Sequence, residues 1–423
     1  MRVLVIGEGA KDHAILTWFS RSNLLSDLFI APGNISTQRI ATNLNDFDYL
    51  NKEEVYKACV KYDINFVFIG TEQPLFDGII DYLNEKGIST FGATTNAMRI
   101  ETDRHFAHEI ATKYGINTSD KYFFDNIDSI DAYLDNNKGE QFVVKSSKYA
   151  PSRTMLNSNN KEAILEYSNL LFKTGGVVIE KYVKGLPLTA SILIDNDGYL
   201  LLPITADYMY TNKVDGKPTG GMGAVCPLSL TKNIKKVITK TIIKPTFEAL
   251  KKENLTYRGV LTFSIMLSGE DCILVDYHLR FSDPSTQAMI PLIKNDICQL
   301  LIKMNEDKIA EEKLVLRKRF TTALVVASEN YPTDPVINVK VDKINPGLLS
   351  NEFNYRNLIL TGAIKGDDIN NLKTSGGRCF TIVGIGKTLN ESTKHAYDVV
   401  DEFSFKGSWY RQDIDGTYFE DSE

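Results

Sequence analysis

The stretch "RVLVIGEGAKDHA" at residues 2–14 decides how this chain folds. Four aliphatic residues, Val3 to Ile6, run into Gly7 as a short buried strand, and a helical pattern follows in "HAILTWFSRS". Gly7 and Gly9 allow a tight turn into that helix, whose first amides can hold a phosphate. A dinucleotide fingerprint asks for a third glycine at position 12, where Asp12 stands, so the pair also reads as a plain strand–helix turn. The same punctuation recurs in "LFIAPG" (28–33), "NFVFIG" (65–70) and "STFG" (89–92), with patterns such as "EEVYKACVKY" between them. This alternation predicts a doubly wound parallel sheet over residues 1–100, with ligands at the carboxyl ends of its strands. "APGN" (31–34) and "GTEQPL" (70–75) would converge on the same crevice, which suits a small phosphorylated ligand.

Beyond residue 100 the pattern changes. "ETDRHFAHEIATKYG" reads as one helix stopped by glycine, within a stretch reaching about residue 118. A small unit over 119–190 carries strands "QFVVK" and "GVVIEKYV" around one helix. A larger mixed unit over 191–325 carries "ASILID", "YLLLPIT", "GVLTFSIML" and "CILVDYHL", with a long helical segment at 231–252. The remainder, 326–423, holds shorter strands such as "CFTIVGIG" and a helix near 389–403. The expected fold is therefore α/β and α+β multidomain, with 101–118 and 191–325 forming one central unit.

At 423 residues the chain is long for a single core, which fits several units. It is 43% hydrophobic and 24% charged, with a net charge of −6 and no basic run, so nucleic acid is not an expected partner. No apolar stretch reaches the roughly 18 residues that span a membrane. The sequence opens on a strand without a basic leader, and its five cysteines are scattered, which together suit a reducing cytoplasm. A monomer or weak homo-oligomer is expected.

Three further stretches carry chemistry. In "LVDYHLRFSDPSTQ" (274–287), Asp276, His278 and Arg280 alternate onto one strand face, as a divalent cation site beside an oxyanion contact or as a salt-bridged surface strand. "PTGGMGAVCP" (218–227) packs three glycines into four positions and reads as an irregular loop, either an amide cradle for an anion or a turn. "VVKSSKYAPSRTM" (143–155) is an apolar strand that ends in lysine and enters a loop without glycine, where a nucleotide lid ordinarily needs it.

The order of these motifs, with "FGATTNAMRIETDRHFA", "VVIEKYVKG" and "TSGGRCFTIVGIG", resembles phosphoribosylamine–glycine ligase, also called glycinamide ribonucleotide synthetase, over nearly the whole chain. The resemblance implies an ATP-grasp central domain with a small lid, flanked by N- and C-terminal domains. It implies that ATP phosphorylates glycine and that 5-phosphoribosylamine captures the glycyl phosphate, with Mg²⁺ present. By position, Gly9, Asn34, Glu72 and Pro74 would form the phosphoribosylamine pocket. Arg104, Lys145 and Glu180 would line the ATP cleft, Glu180 toward the adenine. Asp276 and His278 stand where the family places a magnesium-binding Glu and Asn; the imidazole makes Mn²⁺ credible. Arg280 and Asp283 would act in catalysis, with Thr219, Gly220, Gly221, Met222 and Gly223 around the glycine and the moving phosphoryl group.

The departures cluster on the nucleotide side. The family's lid glycines are absent, Pro151 stiffens the loop, and Lys148 and Arg153 supply cations instead. Arg104 replaces a lysine, Leu186 and Pro187 replace paired glutamates, and "ADYMYTNKVDG" replaces a segment rich in Asp, His, Lys and Arg. Three readings stand side by side: a working ligase with a cationic lid, a ligase for another carboxylate or amine, and a phosphoribosyl-binding relic without turnover.

Overall fold

The fold is described from a computed structural model, over residues 1–148, 155–173, 175–213, 216–228, 232–347 and 356–414. Pro151 and Arg153 lie outside the described residues.

Strands β1 (Arg2–Gly7), β2 (Asp27–Pro32), β3 (Thr42–Asn43), β4 (Phe66–Ile69) and β5 (Ser89–Phe91) pair in parallel in the order β3-β2-β1-β4-β5. Helices α1 (Ala10–Phe19), α2 (Lys52–Lys61), α3 (Glu72–Phe76) and α4 (Ile79–Glu85) supply the connections, as the alternation predicted. Gly70 ends the β4 segment under strict demand: a Cβ there would lie 2.1 Å from Oδ1 of Asp12 and 2.9 Å from the Ile6 carbonyl. The sheet docks on the rest of the molecule through Phe68 and Phe91, stacked at 4.4 Å and both facing Phe281.

The expected single helix after residue 100 is two, α5 (Thr95–Thr102) and α6 (Arg104–Lys113). Asp103 breaks it: its backbone is extended (φ −126°, ψ 99°), and its carboxylate caps α6 through the amides of His105 and Phe106 at 3.1 Å each. Asp103 is the acceptor-bearing residue a new helix start requires, and it overrides the continuous helical pattern.

The small unit has more in it than two strands and one helix. β6 (Lys121–Phe124), β7 (Phe142–Ser146), β8 (Leu156–Ser158) and β9 (Val177–Lys181) form an antiparallel sheet in the order β6-β9-β7-β8. Helices α7 (Ile127–Asn136) and α8 (Lys161–Leu171) cover it and close a separate core around Ile130, Phe142, Val144, Ile164 and Ile179.

Most of the remaining strands build one large sheet. β10 (Leu186–Ile194), β11 (Tyr199–Leu201), β12 (Thr205–Tyr210), β13 (Pro218–Cys226), β14 (Gly259–Ser268), β15 (Asp271–His278) and β16 (Phe320–Ala327) come from the central part. Helices α9 (Lys232–Ile238) and α10 (Lys244–Lys252) flank it, joined by a π-helical turn at Thr239–Ile243. Two short pairs lie outside the sheet, β17 (Val341–Lys343) with β22 (Ser404–Phe405) and β19 (Ile364–Lys365) with β20 (Lys373–Thr374). β18 (Asn357–Thr361) and β21 (Arg378–Gly386) extend the sheet to the order β15-β14-β10-β12-β13-β16-β21-β18, with β11 on β10. β16 thus carries pairing straight across residue 325.

"PTGGMGAVCP" is not a loop. It forms β13, paired antiparallel with β12 and β16, and Met222 is fully buried against Val325, Ala327, Tyr331 and Trp409. Three glycines hid a strand because the apolar residues between them, not the glycines, set its fate.

Candidate functional site

β15 and the turn after it are the spine of the site. Its alternation is the expected one at the end that matters: Tyr277 and Leu279 are buried, while Asp276, His278 and Arg280 stay partly open on the other face. A row of charges runs along that open face from the small unit toward the N-terminal sheet.

At the first end, the Nζ of Lys145 on β7 lies 3.1 Å from Oδ2 of Asp276 and 3.1 Å from Oε1 of Glu180 on β9. Lys121 on β6 adds its own ion pair to the same Glu180 oxygen at 3.1 Å; both Glu180 contacts run off the hydrogen-bonding directions. Arg104, opening α6, places Nε 3.4 Å from Oδ1 of Asp276 and donates from Nη1 to the Ser146 carbonyl at 2.8 Å. Burial pushes the Lys145 ammonium down, but Asp276 and Glu180 outweigh it and hold its pKa above the ordinary value. Burial likewise raises Asp276, and Lys145, Arg104 and Lys121 overcome it, so its carboxyl sits well below the usual range. Lys121 goes the other way, lowered by burial more than Glu180 restores. Three cations and two carboxylates leave one net positive charge on the cluster.

Arg104, Lys145, Glu180 and Asp276 thus do meet. Sequence reasoning missed Lys121, which has no motif around it and is found only because β6 pairs with β9. Glu180, expected toward an adenine, ion-pairs here with the two lysines.

The lid stem is strapped to α6. Asp103 and Lys148 pair as an antiparallel bridge, the Arg104 amide donates to the Ser147 carbonyl at 3.0 Å, and the Lys148 ammonium ion-pairs with Asp103.

Further along, His278 is held from both sides. Its Nε2 lies 3.0 Å from the Ser264 hydroxyl and its Nδ1 3.4 Å from Glu101. Buried Glu101 also accepts from the Leu279 amide and from Nη1 of Arg280, each at 2.7 Å. Arg280 then pairs with Glu72 on α3, which brings the row to the N-terminal unit.

There a cavity of about 360 Å³ opens, lined by Glu8, Gly9, Lys11, Asp12, Tyr49, Glu72 and Asp283 among others. Gly9 and Glu72 belong to it as expected. Asn34 and Pro74 are not among its lining residues. The Asn34 amide donates to the carbonyls of Glu8 at 2.8 Å and Thr361 at 3.2 Å, and Pro74 is buried in α3. Lys11 turns its ammonium onto the Gly70 carbonyl at 2.5 Å. Burial raises the carboxyls of Asp12 and Glu8, Asp12 adding its charge to the effect on Glu8.

β13 meets this end differently from the expectation. Its amides are already engaged, Gly220 N–H by the Tyr331 hydroxyl and Gly221 N–H by Thr219 Oγ1, both at 3.0 Å. Gly220 and Gly221 therefore offer no free amide pair to an anion.

Among the described residues no three metal-binding side chains converge. Asp276 is a hard oxygen donor beside Lys145 and Arg104, and small divalent cations are ordinarily held by one or two carboxylates plus substrate phosphates, so the donor set fits that arrangement.

A small antiparallel sheet set against a large mixed sheet, with a parallel N-terminal unit ahead of them, is the arrangement of the ATP-grasp class. A biotin carboxylase from Campylobacter jejuni shares this fold, with a TM-score of 0.72 over 97% of this chain and 93% of that one at 13% identity. Profiles of phosphoribosylglycinamide synthetase match most of the chain: the N domain at residues 1–101, the ATP-grasp (A) domain at 102–286 and the C domain at 321–416. The phosphoribosylamine–glycine ligase of Caldanaerobacter subterraneus is 30% identical over 99% of this chain and 100% of its own length. The crystal structure of the same enzyme from Thermotoga maritima superposes with a TM-score of 0.83 at 25% identity, over 98% of this chain and 100% of that one. The chain belongs to the phosphoribosylamine–glycine ligase family.

Proposed function

We propose that this protein joins glycine to 5-phosphoribosylamine at the expense of ATP, through glycyl phosphate, giving glycinamide ribonucleotide, ADP and phosphate. The observation that carries the reading is the continuous charged row on β15, which links a cation-rich nucleotide cleft at Asp276 to the N-terminal cavity at Glu72. A carboxylate is a poor acyl donor until one of its oxygens becomes a good leaving group, and phosphorylation supplies that. The same site must then present the acyl carbon to an amine without admitting water.

In this reading Lys145 and Arg104 exchange Asp276 for nucleotide phosphates, and Lys121 keeps Glu180 in place as they do so. Asp276, so released, would be the oxygen donor for Mg²⁺, which would supply neutralisation of the charge on the transferring phosphoryl group. His278 can join as a ligand only by releasing Ser264 or Glu101, which weakens the case for Mn²⁺. Arg280 and Asp283 stand between the two halves, where acyl transfer takes place. Gly9 and Glu72 contact the phosphoribosylamine; Asn34 and Pro74 shape the walls behind it. Thr219 to Gly223 act as the rigid strand beneath the acyl donor. The division at 1–100, 101–118 with 191–325, 119–190 and 326–423 is proposed for the four working parts, and a cytoplasmic monomer or weak homo-oligomer for the whole. No helix among the described residues is long and apolar enough to cross a membrane.

The test is ADP release with each of glycine, freshly made phosphoribosylamine and Mg·ATP omitted in turn, and the product weighed by mass spectrometry. Release that requires all three, with glycinamide ribonucleotide formed, is expected. Release that ignores glycine points to another acid, and none at all points to a binding relic.

A further inference from the structure

Arg378 opens β21 in the C-terminal part and reaches across to two other segments. Its Nη1 makes all of its hydrogen bonds: to the Asp283 carboxylate at 2.9 Å, and to the carbonyls of Gly220 at 2.7 Å, Asp283 at 3.1 Å and Gly221 at 3.4 Å. The other edge of the guanidinium, Nε with Nη2, has no hydrogen-bond partner among the described residues, and the side chain stays 27% exposed. That edge is a planar two-donor fork matched to a carboxylate or phosphate. Arg411 shows it filled, with Nε and Nη2 each donating to one oxygen of Asp413.

The approach of Arg378 is built into the backbone. A Cβ on Gly220 would come within 3.2 Å of Cζ and Nη2 of Arg378, and one on Gly221 would lie 2.8 Å from the Asp283 carbonyl. Glycine at these two positions lets the guanidinium and the Asp283 turn close on β13. The charges felt at Arg378 besides Asp283 include Glu72 and Arg280, and Glu72 and Asp283 both line the N-terminal cavity. Arg378, bound to Asp283 of the cavity wall, therefore stands beside the place where the charged row meets that cavity, which is where an acyl donor has to lie.

We propose that the Nε–Nη2 edge of Arg378 binds the carboxylate of the acyl donor, glycine, while Nη1 keeps Asp283 and β13 in register. The inference rests on the ligase reading for the identity of that carboxylate. Glycine is a zwitterion, so its ammonium suits Glu72 and Asp283 as its carboxylate suits the fork. At the fork itself a phosphate dianion would stand beside the Asp283 carboxylate with no ammonium to offset it, so a sugar phosphate fits that edge less well than glycine does.

The test labels the intact, nucleotide-free protein with phenylglyoxal and maps the modified arginines by mass spectrometry. Glycine is expected to slow labelling of Arg378 at least about fivefold, and ATP or ribose 5-phosphate to leave it unchanged. Absence of glycine protection, or protection by ribose 5-phosphate instead, overturns the inference. Because labelling needs no turnover, it decides the role of Arg378 even if the wild-type protein releases no ADP, a result that would count against the ligase reading alone. In the active enzyme, Arg378→Lys is expected to raise KM for glycine at least about tenfold with KM for ATP within about twofold; an unchanged KM for glycine contradicts the proposal.

Discussion

Lys145 is the cation that Asp276 and Glu180 share. Lys145→Met should lower ATP-dependent turnover by about a hundredfold or more, since a charge placed in advance on the moving phosphoryl group is lost. Steady-state kinetics on the variant checks this, and near-normal turnover would remove Lys145 from the nucleotide site. His13 gives a prediction of another kind. It is buried where α1 meets β18, its Nδ1 accepts from the Thr361 amide at 3.2 Å, and burial drops its pKa from 6.5 to about 4. As pH falls the unfolded chain takes the proton first, so the stability tied to neutral His13 is full above 6.5 and is lost between 6.5 and about 4. The loss is up to about 3 kcal/mol for a group this buried. Thermal unfolding of wild type should therefore weaken from pH about 7 to about 5, and His13→Gln should flatten that slope. An identical slope in the variant would place the titration elsewhere. Gly70→Ala should also destabilise, by about 2 kcal/mol or more, because its Cβ collides with a carboxylate and a backbone carbonyl that cannot both retreat. A chemical denaturation curve reads this directly.

Among the elements, those legible in the sequence were the ones whose own period matched their burial. β1, β2 and β4 are near-continuous aliphatic or aromatic runs ending at glycine or proline, and the β15 alternation was readable because one face is core and the other is site. β13 was not, since its glycines imitate a turn and only its pairing with β12 and β16 makes it a strand. The break between α5 and α6 was hidden for the opposite reason: Asp103 is one polar residue in a helical pattern, and a carboxylate there reads equally as a helix interior or as the cap it makes on the amides of His105 and Phe106. The lid stem strapped to α6 supports a prediction at this scale. Asp103→Ala removes both the α6 cap, worth about 1 kcal/mol, and the partner of Lys148. It should lower the unfolding midpoint and raise KM for ATP by roughly fivefold through a looser lid. An unchanged KM would mean that the strap has no part in nucleotide handling.

At the scale of the whole molecule, the sequence showed which motifs exist but not how they connect. Arg378 and Lys121 lie far apart in the chain, and both enter the site through strand pairing that no local pattern announces. The N-terminal pocket was only half legible, because Asn34, which sits in a loop motif, turns out to be spent on the link to Thr361. What the assembled molecule adds is continuity: a row of charge along β15 links the cluster at Asp276 to Glu72 at the N-terminal cavity, so in the proposed reaction activation and capture act in turn on one bound glycine carboxyl group. The most direct measurement follows the oxygens of that carboxyl group. Glycine labelled with ¹⁸O in both carboxyl oxygens is turned over with ATP and phosphoribosylamine, and the released phosphate is examined by mass spectrometry. One labelled oxygen should appear in phosphate and the other in the amide product. Phosphate free of label would contradict the reading that this site activates glycine as an acyl phosphate.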